Sequence, residues 1–190
     1  MAWSAESTDE ELMLHYRDGD AGAFDVLYAR HKGGVYRYLV RQCRNAAVAE
    51  ELFQDVWMNL IRARAGYTVR ARFTTYLYRL AHNRLIDHYR RNGHASVISL
   101  EQEDGEAVVD PPDEREPPQD EALDAKRQAE RLLDLIGELP EPQREAFLLQ
   151  QEGGMSVEEI AQATGVSRET AKSRLRYAMA KLRKGMQGWR

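Results

Sequence analysis

The sequence predicts an all-α protein, two small helical domains joined by an acidic, Pro-rich linker. Three observations predict it. Apolar residues recur with helical period on both sides of the chain's centre, and no segment alternates with period two long enough to suggest a sheet. Four of the six prolines, Pro111, Pro112, Pro117 and Pro118, crowd one central stretch. That stretch is also acidic and poor in apolar residues, so it buries too little surface to offset its ordering entropy. The domains therefore fall at 1–91 and 122–190, with the linker at 92–121.

Each helix has its own signature. Thr8-Asp9-Glu10-Glu11 has the pattern of a capping box and opens a short helix ending near Gly19-Asp20. A second helix runs from about Ala21 to Cys43. Residues 48–62 are the most periodic in the chain. Ala49, Leu52, Phe53, Val56, Trp57, Leu60 and Ile61 form one apolar stripe and leave Glu50, Glu51, Gln54, Asp55 and Asn59 pointing elsewhere. A fourth helix, about 73–91, carries Phe73, Leu77, Leu80, Ala81 and Leu85 on one side. Beyond the linker, a helix at about 122–137 takes Leu132, Leu133 and Ile136 as core. Pro142 opens the next helix at its first turn, and Gly153-Gly154 ends it. Ser156-Val157-Glu158-Glu159 is a second capping box. Its helix stops at Thr164-Gly165, and Ser167 caps the last helix, which runs to about Met186.

Length and composition bound the function. The chain has 190 residues and 21.8 kDa, and 43% hydrophobic residues suffice for a real core. The longest apolar run is four residues, as in Ala146-Phe147-Leu148-Leu149, far short of the ~20 residues of a membrane span. The first residues carry neither the basic nor the apolar region of a secretory signal. A single cysteine, Cys43, excludes an internal disulfide and a Cys-based zinc finger, and suits a reducing cytosol.

The net charge of −4 conceals a segregation. Residues 62–91 carry +7 and residues 156–190 carry +5, whereas residues 92–124 carry −10. Two basic segments around an acidic one form the electrostatic footprint expected of a nucleic-acid surface.

Residues 156–182 supply the most informative local motif. A short helix with Ile160 and Ala161, a turn at Gly165, apolar Val166 and a polar cap on a longer helix make the pattern of a DNA-binding helix-turn-helix. Gly165 tolerates the positive φ that the turn needs. Leu175, Leu182, Ala171 and Ala178 form the buried side of the last helix. Arg168, Lys172, Ser173, Arg174, Arg176 and Tyr177 are left for the major groove and its phosphates. An Arg or Lys reaching a guanine edge is worth roughly 1–3 kcal/mol of discrimination.

Several segments together resemble the extracytoplasmic-function (ECF) group of the bacterial sigma-70 family of RNA polymerase sigma factors. Asp18-Gly19-Asp20-Ala21-Gly22-Ala23-Phe24-Asp25-Val26-Leu27-Tyr28 resembles the family's opening. Ala49-Glu50-Glu51-Leu52-Phe53-Gln54-Asp55-Val56-Trp57 resembles the helix that docks on core polymerase. The run from Phe73 to Asp87 resembles the −10 segment. Leu139-Pro140-Glu141-Pro142-Gln143-Arg144-Glu145-Ala146-Phe147, Val157-Glu158-Glu159-Ile160-Ala161 and Thr170-Ala171-Lys172-Ser173-Arg174-Leu175 resemble region 4. The resemblance covers about 8–92 and 122–186. Tyr76 stands where the family often has Trp, Ala171 where it often has Val, and Tyr177 where it often has Arg. The −10 pocket's shape and the preferred −35 sequence therefore do not carry over.

The resemblance implies an initiation subunit and not an enzyme, with no cofactor and no metal. Core RNA polymerase would meet Glu50, Glu51, Gln54, Asp55 and Asn59. Region 2 (1–91) would bind and open the −10 element through Tyr76, Asn83, Arg70, Arg72, Arg90 and Arg91, and Asn83 matches the position lining the pocket for a flipped base. Opening needs stacking surfaces at about 1–3 kcal/mol per base, and Tyr67, Phe73, Tyr76, Tyr78 and Tyr89 lie in this basic stretch, with Phe73 and Leu77 assigned to the core. Region 4 (122–190) would read the −35 duplex. The linker would thread the polymerase's basic channels, its carboxylates imitating RNA. An anti-sigma factor is the further partner implied, and the location is cytoplasmic.

Two other classes compete. A helix-turn-helix regulator acting without polymerase would bind duplex DNA alone, and the domain order and acidic linker argue against it. A metal enzyme would need clustered ligands. His15, His31, His82, His88 and His94 form no His-Glu-x-x-His, and His82 and His88, six apart, share no helix face. Each reads as a solvated or packing histidine.

Overall fold

The computed structural model describes residue 3 and residues 6–93 and 121–188. The linker segment 94–120, including His94, lies outside the described residues. Those described form eight α-helices and one 3-10 turn, with no strand among them. The helices are α1 Asp9–Arg17, α2 Ala21–Cys43, α3 Ala46–Ala63, α4 Phe73–Arg91, α5 Glu121–Glu138, α6 Glu141–Gly153, α7 Val157–Thr164 and α8 Arg168–Gln187, and the 3-10 turn is Arg64–Gly66.

Side-chain caps fix the helix starts. Thr8 and Glu11 close the capping box on α1, and Ser156 and Glu159 close the one on α7. Asp20 accepts from the Gly22 and Ala23 amides, and Asn45 from that of Val48. Helix α4 has no cap of its own. The Glu10 carboxylate of α1 accepts from the Phe73 amide instead, at 2.6 Å. An acidic group from a neighbouring helix thus satisfies a free donor at the positive end of α4. Gly154 and Gly165 end α6 and α7 in the left-handed region, at φ 59° and 70°.

The first four helices pack into a bundle. Trp57 of α3 meets Phe24 and Tyr28 of α2 edge-on, at 5.9 and 5.0 Å between ring centroids. Beneath them Leu27, Leu39, Val56, Leu60, Leu77 and Ala81 are fully buried. In the second unit, Ala171, Leu175, Ala178 and Leu182 face inward from α8, as their spacing predicts. Helices α5 and α8 approach closely at Gly185, where a Cβ would run into the Leu135 side chain.

One core expectation is corrected. Leu133 is 46% exposed, while Leu135, Ile136 and Leu139 are buried. The inward stripe at the end of α5 runs through half-buried Leu132 and buried Leu135 and Ile136 and continues to Leu139 just past the helix, the i, i+3, i+4, i+7 set, and Leu133 falls outside it.

The two units do not stay apart. Helix α6 packs on α8 along one side and on α2 along the other, while α7 lies on α4. Residues 144–149 are consequently all buried, among them Arg144 and Glu145. A single continuous core crosses both units.

Candidate nucleic-acid interface

Helix α8 presents one basic face. Arg168, Lys172, Arg176 and Tyr177 are exposed, and Ser173 and Arg174 are half-buried. Ser167 sets the register of this helix by accepting from the Thr170 amide at 3.1 Å. Arg168 is held by Glu158 of α7 and by Glu169. Hydrogen bonding to Arg168 holds the Glu158 carboxyl below its usual range. The Arg176 guanidinium lies over the Tyr177 ring, 5.0 Å from its centroid. Arg174 turns toward the interior, and its charge reaches buried Glu145. The six predicted residues therefore divide into four that are exposed and two that are half-buried.

Helix α4 carries a second polar stripe. Arg72, Tyr76, Arg79, Asn83 and Arg90 recur at helical spacing; all but the half-buried Tyr76 are exposed. Tyr76 packs edge-on against Tyr67 at 5.3 Å. Arg70 and Arg91 are exposed at either end of this region. Arg72 is engaged across the seam, donating to the Gly154 carbonyl at 3.4 Å and to Glu159 at 3.5 Å. Arg79 sits between Tyr76 and Asn83 on the same stripe. Sequence reasoning did not single it out, although its spacing from those two residues was the available signal.

Phe73 and Leu77 are fully buried, as assigned. The other expected stacking aromatics are corrected. Tyr67 and Tyr78 are buried, at 5% and 1% exposure, and Tyr89 donates to the Gln42 carbonyl at 3.2 Å. Burial pushes the Tyr67 phenol up to about 12 and raises those of Tyr78 and Tyr89 too. Large rings in an amphipathic helix face the core by default; Tyr76 and Tyr89 are half-buried, and of these Tyr89 is engaged with Gln42.

On α3, Glu50, Glu51 and Gln54 are exposed, while Asp55 and Asn59 are half-buried. Asp55 is not free: it accepts from Arg84 of α4 at 2.6 Å. Met58, 44% exposed, adds an apolar contact to the face formed by Glu51 and Gln54. It escaped the sequence reading because methionine is an ordinary core residue.

Polar groups also cross the seam between the two units. Glu145 of α6 accepts at 2.6 Å from both Tyr38 Oη of α2 and His82 Nδ1 of α4. Burial, the largest single influence, raises the Glu145 carboxyl, but the hydrogen bonds from His82 and Tyr38 and the nearby charges together outweigh it, so the group sits below its usual range. Arg144 donates through Nε to Gln42 Oε1 at 2.9 Å and through a terminal nitrogen to the Gly137 carbonyl at 3.0 Å. Burial lowers its pKa. Glu152 accepts from Arg37 at 2.8 Å and from Arg41 at 2.6 Å. His82, read as a solvated or packing histidine, is thus a hydrogen-bond partner of a buried carboxylate in this seam.

Among the described residues, no three His, Cys, Asp or Glu side chains are placed to hold a metal ion. No described helix is long and apolar enough to cross a membrane.

Residues 27–95 match Sigma-70 region 2, and residues 129–182 match Sigma-70 region 4. The RNA polymerase sigma factor CarQ of Myxococcus xanthus is 33% identical over 171 residues, covering 90% of this chain and 93% of CarQ. The ECF RNA polymerase sigma factor SigK of Mycobacterium sp. (strain KMS) is 31% identical over 172 residues, covering 90% and 86%. The chain belongs to the ECF RNA polymerase sigma factors. The sigma factor's fold is shared with solved structures of low identity. CnrH, solved with the cytosolic domain of CnrY, superimposes with a TM-score of 0.66 at 22% identity, over 95% of this chain and 98% of CnrH. The sigma factor RpoE, solved with the anti-sigma factor NepR from Bartonella quintana, gives 0.63 at 20% identity, over 88% and 98%. In this sigma factor, the region 2 match covers α3, α4 and α2 from residue 27 on, and the region 4 match covers α6, α7 and α8 as far as residue 182.

Proposed function

We propose that this ECF sigma factor directs core RNA polymerase to promoters by dividing three contacts among three helices. Helix α8 enters the major groove of the −35 duplex. Arg168, Lys172 and Arg176 approach base edges and phosphates, Tyr177 adds an apolar edge, and Ser173 and Arg174 flank them. Helix α4 takes the −10 element. Tyr76 stacks on an unpaired base, Asn83 offers donor and acceptor to a flipped base, and Arg70, Arg72, Arg79, Arg90 and Arg91 hold phosphates. The α3 face, with Glu50, Glu51, Gln54, Met58 and Asn59, docks on polymerase, and Asp55 orders that face through Arg84.

The single observation carrying this reading is the pairing of two sigma-region matches with two separate basic helix faces, each backed by a buried apolar one. The domain limits 1–91, 92–121 and 122–190 are part of the proposal, with the linker outside the described residues. The reading places the protein in the cytoplasm, as a binding subunit and not an enzyme, and gives it an anti-sigma factor as a regulatory partner.

Run-off transcription with purified chain, core polymerase and randomised promoters tests it. Initiation that depends on the chain and enriches defined −35 and −10 sequences is expected. A chain that shifts duplex DNA alone, without supporting initiation, would instead be a regulator independent of polymerase.

A further inference from the structure

Helix α1 lies ahead of the region 2 match and has no part in the contacts assigned above. It is anchored on α2. Asp9 accepts from Arg30 at 2.8 Å and pairs with His31 Nε2 at 2.7 Å. Leu12, Met13 and Tyr16 are buried on its inner side. From this fixed position α1 also grips the segment between α3 and α4. In that segment Tyr67 and Phe73 are buried, and the residues between them, Thr68 to Arg72, are all exposed. Both buried stems are bonded to α1. The Tyr67 carbonyl accepts from Arg17 at 3.4 Å, and the Phe73 amide donates to Glu10 at 2.6 Å. Just before the loop, the Arg64 guanidinium lies over the Tyr16 ring, 5.1 Å from its centroid.

The Glu10 bond is the stronger stem. It is short, its acceptor is ionised, and it sits at the positive end of α4. Arg72, at the N-cap position, supplies no side-chain cap there. Glu10 thus fixes where α4 begins. The register set in that first turn decides where Tyr76 projects and, two turns on, Asn83. Tyr67 packs on Tyr76 at 5.3 Å, so the other stem supports the same ring. The loop itself carries Arg70 and Arg72, with Val69 51% exposed beside them. It has no helix or strand of its own. Its side chains meet a DNA strand in one geometry only if both ends are held, because a free loop must first lose its conformational entropy.

We propose that Glu10 of α1 is a positioning residue for promoter opening. Its carboxylate, with Arg17 at the other stem, sets the 68–72 loop and the first turn of α4 so that Arg70, Arg72 and Tyr76 meet the −10 strand as it leaves the duplex. The inference rests on the sigma reading above and deepens it. Glu10 touches no DNA and acts through the Phe73 backbone. Groups held ready for the separated strand favour opening, whereas first binding rests on α8 and the α3 face.

Stopped-flow fluorescence of 2-aminopurine placed in the −10 element tests this. The full chain is bound to core polymerase and mixed with a promoter from the run-off selection. Varying the holoenzyme concentration separates half-saturation, which reports first binding, from the limiting rate, which reports opening. Glu10→Ala should lower the limiting rate about tenfold, the scale of one charge-assisted hydrogen bond, and leave half-saturation within about twofold. Glu10→Gln keeps an acceptor oxygen and should restore most of the rate. Thr8→Ala removes the α1 cap without touching the loop and should open promoters at the wild-type rate. Arg17→Ala, at the weaker stem, should slow opening by a smaller factor. It keeps the test open if circular dichroism shows that Glu10→Ala fails to fold. Stem variants that open promoters as fast as wild type, that lose first binding and opening alike, or that match Thr8→Ala overturn the positioning role. A wild-type chain that opens no promoter with core polymerase overturns the sigma reading instead.

Discussion

Glu145 carries more consequence than any other single side chain. Removing it leaves the Tyr38 hydroxyl and His82 without their acceptor in a dry seam. Glu145→Ala should therefore cost about 3 kcal/mol, the penalty of leaving two buried donors without their carboxylate acceptor, measured by urea unfolding. The pH dependence follows from the depressed carboxyl. Its folded pKa lies below the ordinary 4.5, so its stabilisation is complete above that value and is lost as pH falls through the folded pKa. The groups facing it are Tyr38 from α2, His82 from α4 and Arg174 from α8. Stability followed from pH 6 downward should fall off in the acid range, and Glu145→Gln should flatten that slope. A wild-type profile with the slope of Glu145→Gln would exclude this carboxyl as the source.

Individual helices were largely legible in the sequence, because each is specified locally. Thr8, Ser156 and Ser167 mark starts, Gly154 and Gly165 mark stops, and apolar spacing marks the inner face. Ser156→Ala should cost about 1 kcal/mol through the lost cap. Gly165→Ala should cost a similar amount, about 1 kcal/mol, because φ of 70° strains any residue with a Cβ. Both are read by thermal unfolding. On α8, Lys172→Ala should weaken −35 duplex binding nearly uniformly across sequences and lower the salt slope by about one, in titrations at several salt concentrations. Less was legible where a side chain answers to a distant element. On α5, Leu132, Leu133, Leu135 and Ile136 are all apolar and nearly adjacent, and packing against α8, where Leu135 meets Gly185, turns Leu135 in and leaves Leu133 out. The aromatic residues of the basic stretch read as stacking surfaces until packing hid Tyr67 and Tyr78. The Glu10 cap on α4 joins residues 63 apart and has no local signal.

At the scale of the whole molecule, the sequence announced two units and gave little sign that they dock. The available hint was α6, whose residues 144–149 are hydrophobic or charged with no polar face to spare. A helix buried on both sides needs two neighbours, and here they come from different regions. The shared core predicts a single cooperative thermal transition in calorimetry for wild type. The double variant Arg37→Glu/Arg41→Glu should split it into two. Separate transitions already present in wild type would mean that the halves do not stabilise each other.

The seam also constrains how this chain can drift over generations. Position 152 answers to positions 37 and 41, and 145 answers to 38 and 82, so a change in one half is tolerated best when its counterpart changes too. Hybrid proteins joining region 2 of this chain to region 4 of a relative would inherit mismatched partners. Their stability would track whether the borrowed helix brings its own pair of acids.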